Sequence, residues 1–121
     1  MAKKQSVTIP TIKTVKLTIQ PLFWETLQDV LDFSLNEWGA VVMYAFLKEI
    51  NKDILRLYSM PNSYPKNKYI PSTKVKIYRN IILKKYPYII IYSVANEYDV
   101  KVLNIIHSKR NPQTFKELKC D

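Results

Sequence analysis

At 121 residues the chain is long enough for one domain with a real core and too short for two; its net charge of +9 and pI near 9.6 favour an anionic partner such as nucleic acid, ribosome, acidic protein or membrane surface. A single glycine, Gly39, excludes the P-loop and the dinucleotide fingerprint, which need several glycines for close approach of backbone to phosphate. One cysteine, Cys120, and one histidine, His107, rule out an intramolecular disulfide and leave no ligand set for zinc, so neither a metal nor a cofactor is expected.

Residues 1–13 carry Lys3, Lys4 and Lys13 and read as a basic extension. Their polar start has no apolar stretch behind it and is not expected to act as a secretory signal. The apolar runs of the chain are too short to span a bilayer. A soluble, cytoplasmic protein without a membrane partner is therefore expected, and the lone Cys120 fits a reducing compartment.

Thr14 to Ile19 alternates Val15, Leu17 and Ile19 with polar residues, the period of a half-buried strand. Pro21 suits the first turn of a helix, where its missing N–H costs nothing. Phe23, Leu27, Val30, Leu31, Ser34 and Trp38 then follow at helical spacing and form one stripe. Gly39 is placed to end that helix in a left-handed cap. A second stripe of Met43, Phe46, Leu47, Ile50, Ile54, Leu57 and Tyr58 predicts a second helix, with Lys48, Lys52, Asp53 and Arg56 on its solvated side. Two such helices make a hairpin whose apolar face must pack on a sheet.

Ser59 to Lys74 is punctuated by Pro61, Pro65 and Pro71 and reads as a loop with polyproline character, either functional or a solvated connector. Val75 to Leu83 reads as a strand. Tyr88 to Val94 is almost continuously apolar, which marks a strand buried on both faces. Asn96-Glu97-Tyr98-Asp99 supplies a turn, Val100 to His107 a last strand, and Thr114 to Lys119 a short terminal helix. The fold class is α+β in the order β-α-α-β-β-β, with a helical hairpin on a mainly antiparallel four-stranded sheet.

The chemistry concentrates at the end of the last strand. His107 can move a proton, and Arg79, Lys85, Lys109 and Arg110 can bind or stabilise anions. Each has a plainer role open to it. His107 can hydrogen-bond a nearby carbonyl or carboxylate; Arg79 can pair with Glu97, Asp99 or a helix acid; Tyr86, Tyr88 and Tyr92 can simply build the sheet.

The element order, the helical hairpin after a first strand, and PYIIIY followed by a turn and VKVLNIIHSKRNP resemble the RelE/ParE superfamily of toxins from bacterial type II toxin–antitoxin systems. The resemblance spans roughly Val15 to Pro112. It implies a toxin domain over residues 14–112, between the basic extension and a tail at 113–121, and a cognate small antitoxin in a hetero-oligomer. Growth inhibition and plasmid stabilization are the associated roles.

Two mechanisms divide the superfamily. RelE-like members are metal-independent endoribonucleases that cut mRNA on the ribosome; ParE-like members poison DNA gyrase. Under the first, His107, Arg79 and Arg110 are the implied catalytic groups. Nuclease members commonly place an arginine just inside the penultimate strand, where this chain has Tyr88-Ile89-Ile90-Ile91, and this departure favours the ParE-like branch. Under either, Lys85, Tyr92, Lys109 and Arg110 are candidates for binding the target, while Phe23, Trp24, Tyr44 and Tyr58 are candidates for the antitoxin. A non-catalytic nucleic-acid-binding module is a further alternative.

Overall fold

The computed structural model describes residues 14–68 and 70–109. The basic extension, Arg110, Pro112, Cys120 and the terminal helix expected over Thr114–Lys119 lie outside the described residues.

The element order is the expected one: β1 (Lys16–Ile19), α1 (Pro21–Trp38), α2 (Ala40–Arg56), β2 (Lys76–Ile82), β3 (Tyr88–Ala95) and β4 (Asp99–His107). The sheet order is β1-β4-β3-β2. The last three strands form an antiparallel meander, and β1 lies parallel to β4 with Leu17 opposite Val100. The two helices carry the chain from β1 to β2 at the opposite edge, and the meander returns to lay β4 beside β1, since parallel neighbours cannot be joined by a tight turn.

Pro21 occupies the first turn of α1, as expected. Phe23, Leu27, Val30 and Ser34 are the buried positions of that helix. Ser34 sits in an apolar stripe at no polar cost, because its hydroxyl donates to the Val30 carbonyl at 2.8 Å. Gly39 joins the helices by itself: its N–H donates to the Leu35 carbonyl, and its own carbonyl accepts from the Met43 N–H. Its φ of +86° is positive as expected, but ψ of 169° places it outside the left-handed helical region, in a conformation reserved for glycine. Helix α2 buries Phe46, Ile50 and Ile54 and ends before Tyr58, which is exposed rather than part of the apolar face. Asp53, expected on the solvated side, is half-buried, and burial followed by the nearby Glu49 raises its carboxyl above the usual range.

One main core lies between the hairpin and the sheet. Phe23, Phe46, Ile50 and Leu57 meet Ile81, Ile90, Tyr92, Val94, Val100, Val102 and Ile105, with Val15, Leu17 and Ile19 packed at its margin. The opposite face carries a second cluster of Tyr78, Ile91, Leu103 and Ile106 together with Ile70 from the loop. Strand β3 is therefore buried on both faces, as its unbroken apolar run predicts.

Two irregularities shape the meander. At Leu103 a bulge inserts one residue into β4, since Ile91 pairs with Asn104 while Tyr92 pairs with Val102. Beside the bulge, the Asn104 side-chain oxygen accepts the Ile105 N–H at 2.8 Å. The β3–β4 turn places Asn96 and Glu97 at φ of 52° and 70°, the positive values that a tight hairpin requires.

The proline-punctuated segment 59–74 is more than a connector. It runs along the outer edge of β2, where the Asn67 N–H donates to the Tyr78 carbonyl and the Asn80 N–H to the Pro65 carbonyl. The Asn67 and Asn80 side chains bond each other at 2.8 Å, and the Asn67 oxygen receives the Ile70 N–H. Pairing covers this stretch of an edge strand that would otherwise present open backbone groups.

Candidate functional site

The end of the sheet that holds His107 is built by β-register. Tyr88 pairs with His107, and the Ser108 N–H donates to the Pro87 carbonyl, so the β2–β3 turn and the end of β4 are side by side. Lys85 and Tyr86 lie in that turn, and Lys109 follows β4. The structure thus brings His107, Lys85 and Lys109 to one end.

Here His107 is half-buried and doubly held. Its ring packs edge-on against Tyr88, with centroids 5.4 Å apart. Its Nδ1 accepts the Lys109 N–H at 3.2 Å. That contact holds the ring in place at the end of β4. Tyr88 stacks in turn on Phe46, Phe46 on Tyr86, and Trp38 meets both Phe46 and Tyr86. A continuous aromatic cluster therefore runs from the hairpin corner to His107. Burial raises the Tyr88 hydroxyl above its ordinary value. At the outer rim, Trp38, Val42, Tyr86 and Lys85 line an open, mostly apolar depression of about 470 Å³. An aromatic surface with a cation at its edge suits recognition of a macromolecular partner.

Arg79 does not join this group. It pairs with Tyr92, four residues along β3 from the partner of His107. At about 3.3 Å per residue this offsets the two residues by roughly 13 Å along the strands, and they sit on strands on opposite sides of β3. Nor does Arg79 pair with a carboxylate among the described residues: its Nη1 donates to the Tyr64 carbonyl at 2.7 Å, which ties β2 to the loop.

Two other expected binding residues are core residues instead. Tyr92 is 0% exposed, and its hydroxyl donates to the Pro61 carbonyl at 2.6 Å. Burial pushes that hydroxyl well above the ordinary tyrosine range, although the nearby Arg79 charge opposes the shift. Phe23 is also 0% exposed, wedged between hairpin and sheet. Neither ring can meet a partner without opening the core. Trp24, Tyr44 and Tyr58, by contrast, are 54%, 65% and 51% exposed, and Phe33, Leu35 and Val41 add to the apolar surface of the hairpin. Surface of this kind marks protein–protein contact when it is contiguous. Arg110 lies outside the described residues.

Sequence reasoning overlooked the Trp38–Phe46–Tyr86 cluster. The available signal was Trp38 beside the only glycine and the repeated tyrosine of YPY in the facing turn. It also overlooked a second cavity, of about 450 Å³, beside Arg79. Among the described residues no group of acidic, histidine or cysteine side chains could hold a metal ion, and no helix is long and apolar enough to cross a membrane.

A helical hairpin packed on a four-stranded, mostly antiparallel sheet in the order β-α-α-β-β-β is the ParE-like toxin fold. The structure titled "Chromosomal ParDE TA system from P. aeruginosa" shares it with a TM-score of 0.65, covering 78% of this chain and 97% of that chain at 14% identity. The family described as "ParE toxin of type II toxin-antitoxin system, parDE" matches residues 17–112, and the chain belongs to that family. Comparison with curated proteins gives no match.

Proposed function

We propose that this ParE-family toxin inhibits growth by acting on DNA gyrase and is neutralised by a cognate antitoxin in a hetero-oligomer. The observation that carries this reading is the character of the sheet end. RNA cleavage through the 2′-hydroxyl needs a base, an acid and cations close to the developing charge. Here Tyr88 to Ile91 bring no cation beneath His107, Arg79 is tied to the loop, and the His107 ring is packed on Tyr88. What the end offers instead is aromatic surface edged by Lys85, with Lys109 just past the end of β4, which fits binding rather than turnover.

The antitoxin reading rests on the exposed aromatics of the hairpin. Trp24, Phe33 and Tyr44 offer apolar anchors to a docking helix, and the basic charge of the chain suits a small acidic protein. The β2 edge is less suited to strand addition, because the loop already bonds to Tyr78 and Asn80 there.

Induced alone in bacteria, the protein is expected to stop growth, with a DNA-damage response and altered plasmid supercoiling preceding any fall in translation. Co-expression of the antitoxin relieves the arrest. The endoribonuclease alternative draws on the grouping of His107 with Lys85 and Lys109; it requires translation to stop first, with mRNA cut only when ribosomes are present.

A further inference from the structure

The cavity beside Arg79 has its own chemistry. Val75, Ile77 and Arg79 alternate at the start of β2, and Val94 is the register partner of Ile77. Val75, Ile77 and Val94 supply an apolar floor. The loop adds Asn62 and Lys74, and the β3–β4 turn adds Asn96 and Glu97, enclosing about 450 Å³. That volume lies within the range of small-ligand sites, and five of its eight lining residues are polar or charged, which suits a charged ligand with a short apolar stem.

Arg79 is half-buried there. Its Nη1 is fixed by the Tyr64 carbonyl, whereas its Nε is buried and donates to nothing. The hydrogen bond neutralises no charge, and among the described residues the half-buried guanidinium forms no ion pair with a carboxylate. The same bond holds the guanidinium in place before any ligand arrives, which reduces the ordering cost of binding. Lys74 adds a second cation at the rim, and Glu97 subtracts one charge. Two cations against one carboxylate leave a net charge of about +1, matched by a monoanion; a phosphate dianion would overshoot it and meet Glu97.

We propose that this cavity is a carboxylate-binding site, in which Arg79 and Lys74 hold the carboxylate, the Asn62 and Asn96 amides bond its oxygens, and the valine–isoleucine floor takes its aliphatic stem. The carboxylate belongs either to an acidic side chain of an extended partner segment or to a free small acid. The site stands independently of the gyrase reading, because it needs only the folded chain.

NMR titration of the isotopically labelled full chain at constant ionic strength tests it, with three probes: butyrate, a glutamate residue blocked at both ends within a short alanine peptide, and inorganic phosphate. Butyrate and the peptide are expected to give saturable shifts at Val75, Asn96 and the Arg79 guanidinium. Tighter binding of the peptide identifies a partner side chain as the source, and equal or tighter binding of butyrate a free acid. Lys74→Ala removes an exposed side chain and leaves the fold intact; it should weaken both probes several-fold, and Arg79→Gln by about tenfold or more. Arg79→Gln can also loosen the loop through Tyr64, so the decision rests on Lys74→Ala together with Glu97→Gln, which should strengthen phosphate binding. Absence of saturable shifts with both carboxylates, tighter binding of phosphate than of carboxylate by the wild type, or unchanged carboxylate affinity in Lys74→Ala would overturn the proposal.

Discussion

Tyr92→Phe isolates one hydrogen bond on which the loop depends. The ring stays in the core and keeps its apolar contacts; only the hydroxyl and its 2.6 Å bond to the Pro61 carbonyl are lost. Pro61 is half-exposed, so its carbonyl can turn to water and escape the full penalty of a stranded acceptor. The expected cost is therefore about 1 kcal/mol, near the middle of the range for a net hydrogen bond. For a domain of this size that lowers the melting temperature by roughly 3–6 °C. A linkage effect adds a signature. Because the folded-state pKa of Tyr92 is raised, its contribution to stability is complete below the ordinary tyrosine pKa of about 10 and is lost as the pH climbs toward the folded value. The gap between wild type and Tyr92→Phe should thus be constant up to about pH 10 and shrink above it. Urea unfolding at several pH values measures the gap, and limited proteolysis between Ser59 and Lys74 should quicken in the variant. An unchanged midpoint, or a gap that widens with alkali, refutes the role assigned to this hydroxyl.

Phe23→Ala should cost about 3–5 kcal/mol of stability as a large-to-small change in the core. Its neighbour Trp24, 54% exposed, should cost under about 0.5 kcal/mol on Trp24→Ala; that variant should instead weaken antitoxin capture, as measured by calorimetry with the purified pair. Gly39→Ala meets no atom within 4 Å, so its cost comes from forcing an L-residue into a conformation reserved for glycine, about 1–3 kcal/mol in thermal unfolding. Asp53 has a raised carboxyl pKa, so burial of its charged form weakens the fold as the pH rises through that value. Asp53→Asn should accordingly flatten the pH dependence of stability above the ordinary aspartate pKa of about 3.9.

Most of the architecture was legible because its period was unambiguous. The stripe from Phe23 to Ser34 and the alternation at Val15, Leu17 and Ile19 each allow one kind of element, and the apolar run from Tyr88 to Val94 fits a doubly buried strand. The parallel pairing of β1 with β4 was not legible, since it joins residues more than eighty positions apart and no local pattern encodes register at that range. The loop along β2 was hidden by its own prolines, which signal irregular backbone but not where it docks; Asn67 and Asn80 decide that through side-chain bonds.

The site was legible in its residue types and less so in their arrangement. His107 and Lys109 adjoin because they are near in sequence, and Lys85 joins them because a short turn faces the end of β4. Phe23 and Tyr92 were misplaced as binding residues because aromatic character was weighed above position, although both sit in runs that bury their rings. Arg79 is a cation in a strand whose partner is a backbone carbonyl, and carbonyls leave no mark in a sequence.

Supercoiling by purified gyrase, assayed with the wild-type protein and with His107→Ala beside a ribosome-dependent mRNA cleavage assay on the same samples, bears most directly on the proposed function. The expected result is inhibition of supercoiling by wild type and by folded His107→Ala alike, with no cleavage of mRNA, because the proposal gives this sheet end a binding role and the imidazole is packed on Tyr88. Cleavage of mRNA by wild type that collapses by roughly 10²-fold or more in folded His107→Ala, with gyrase unaffected, would contradict it.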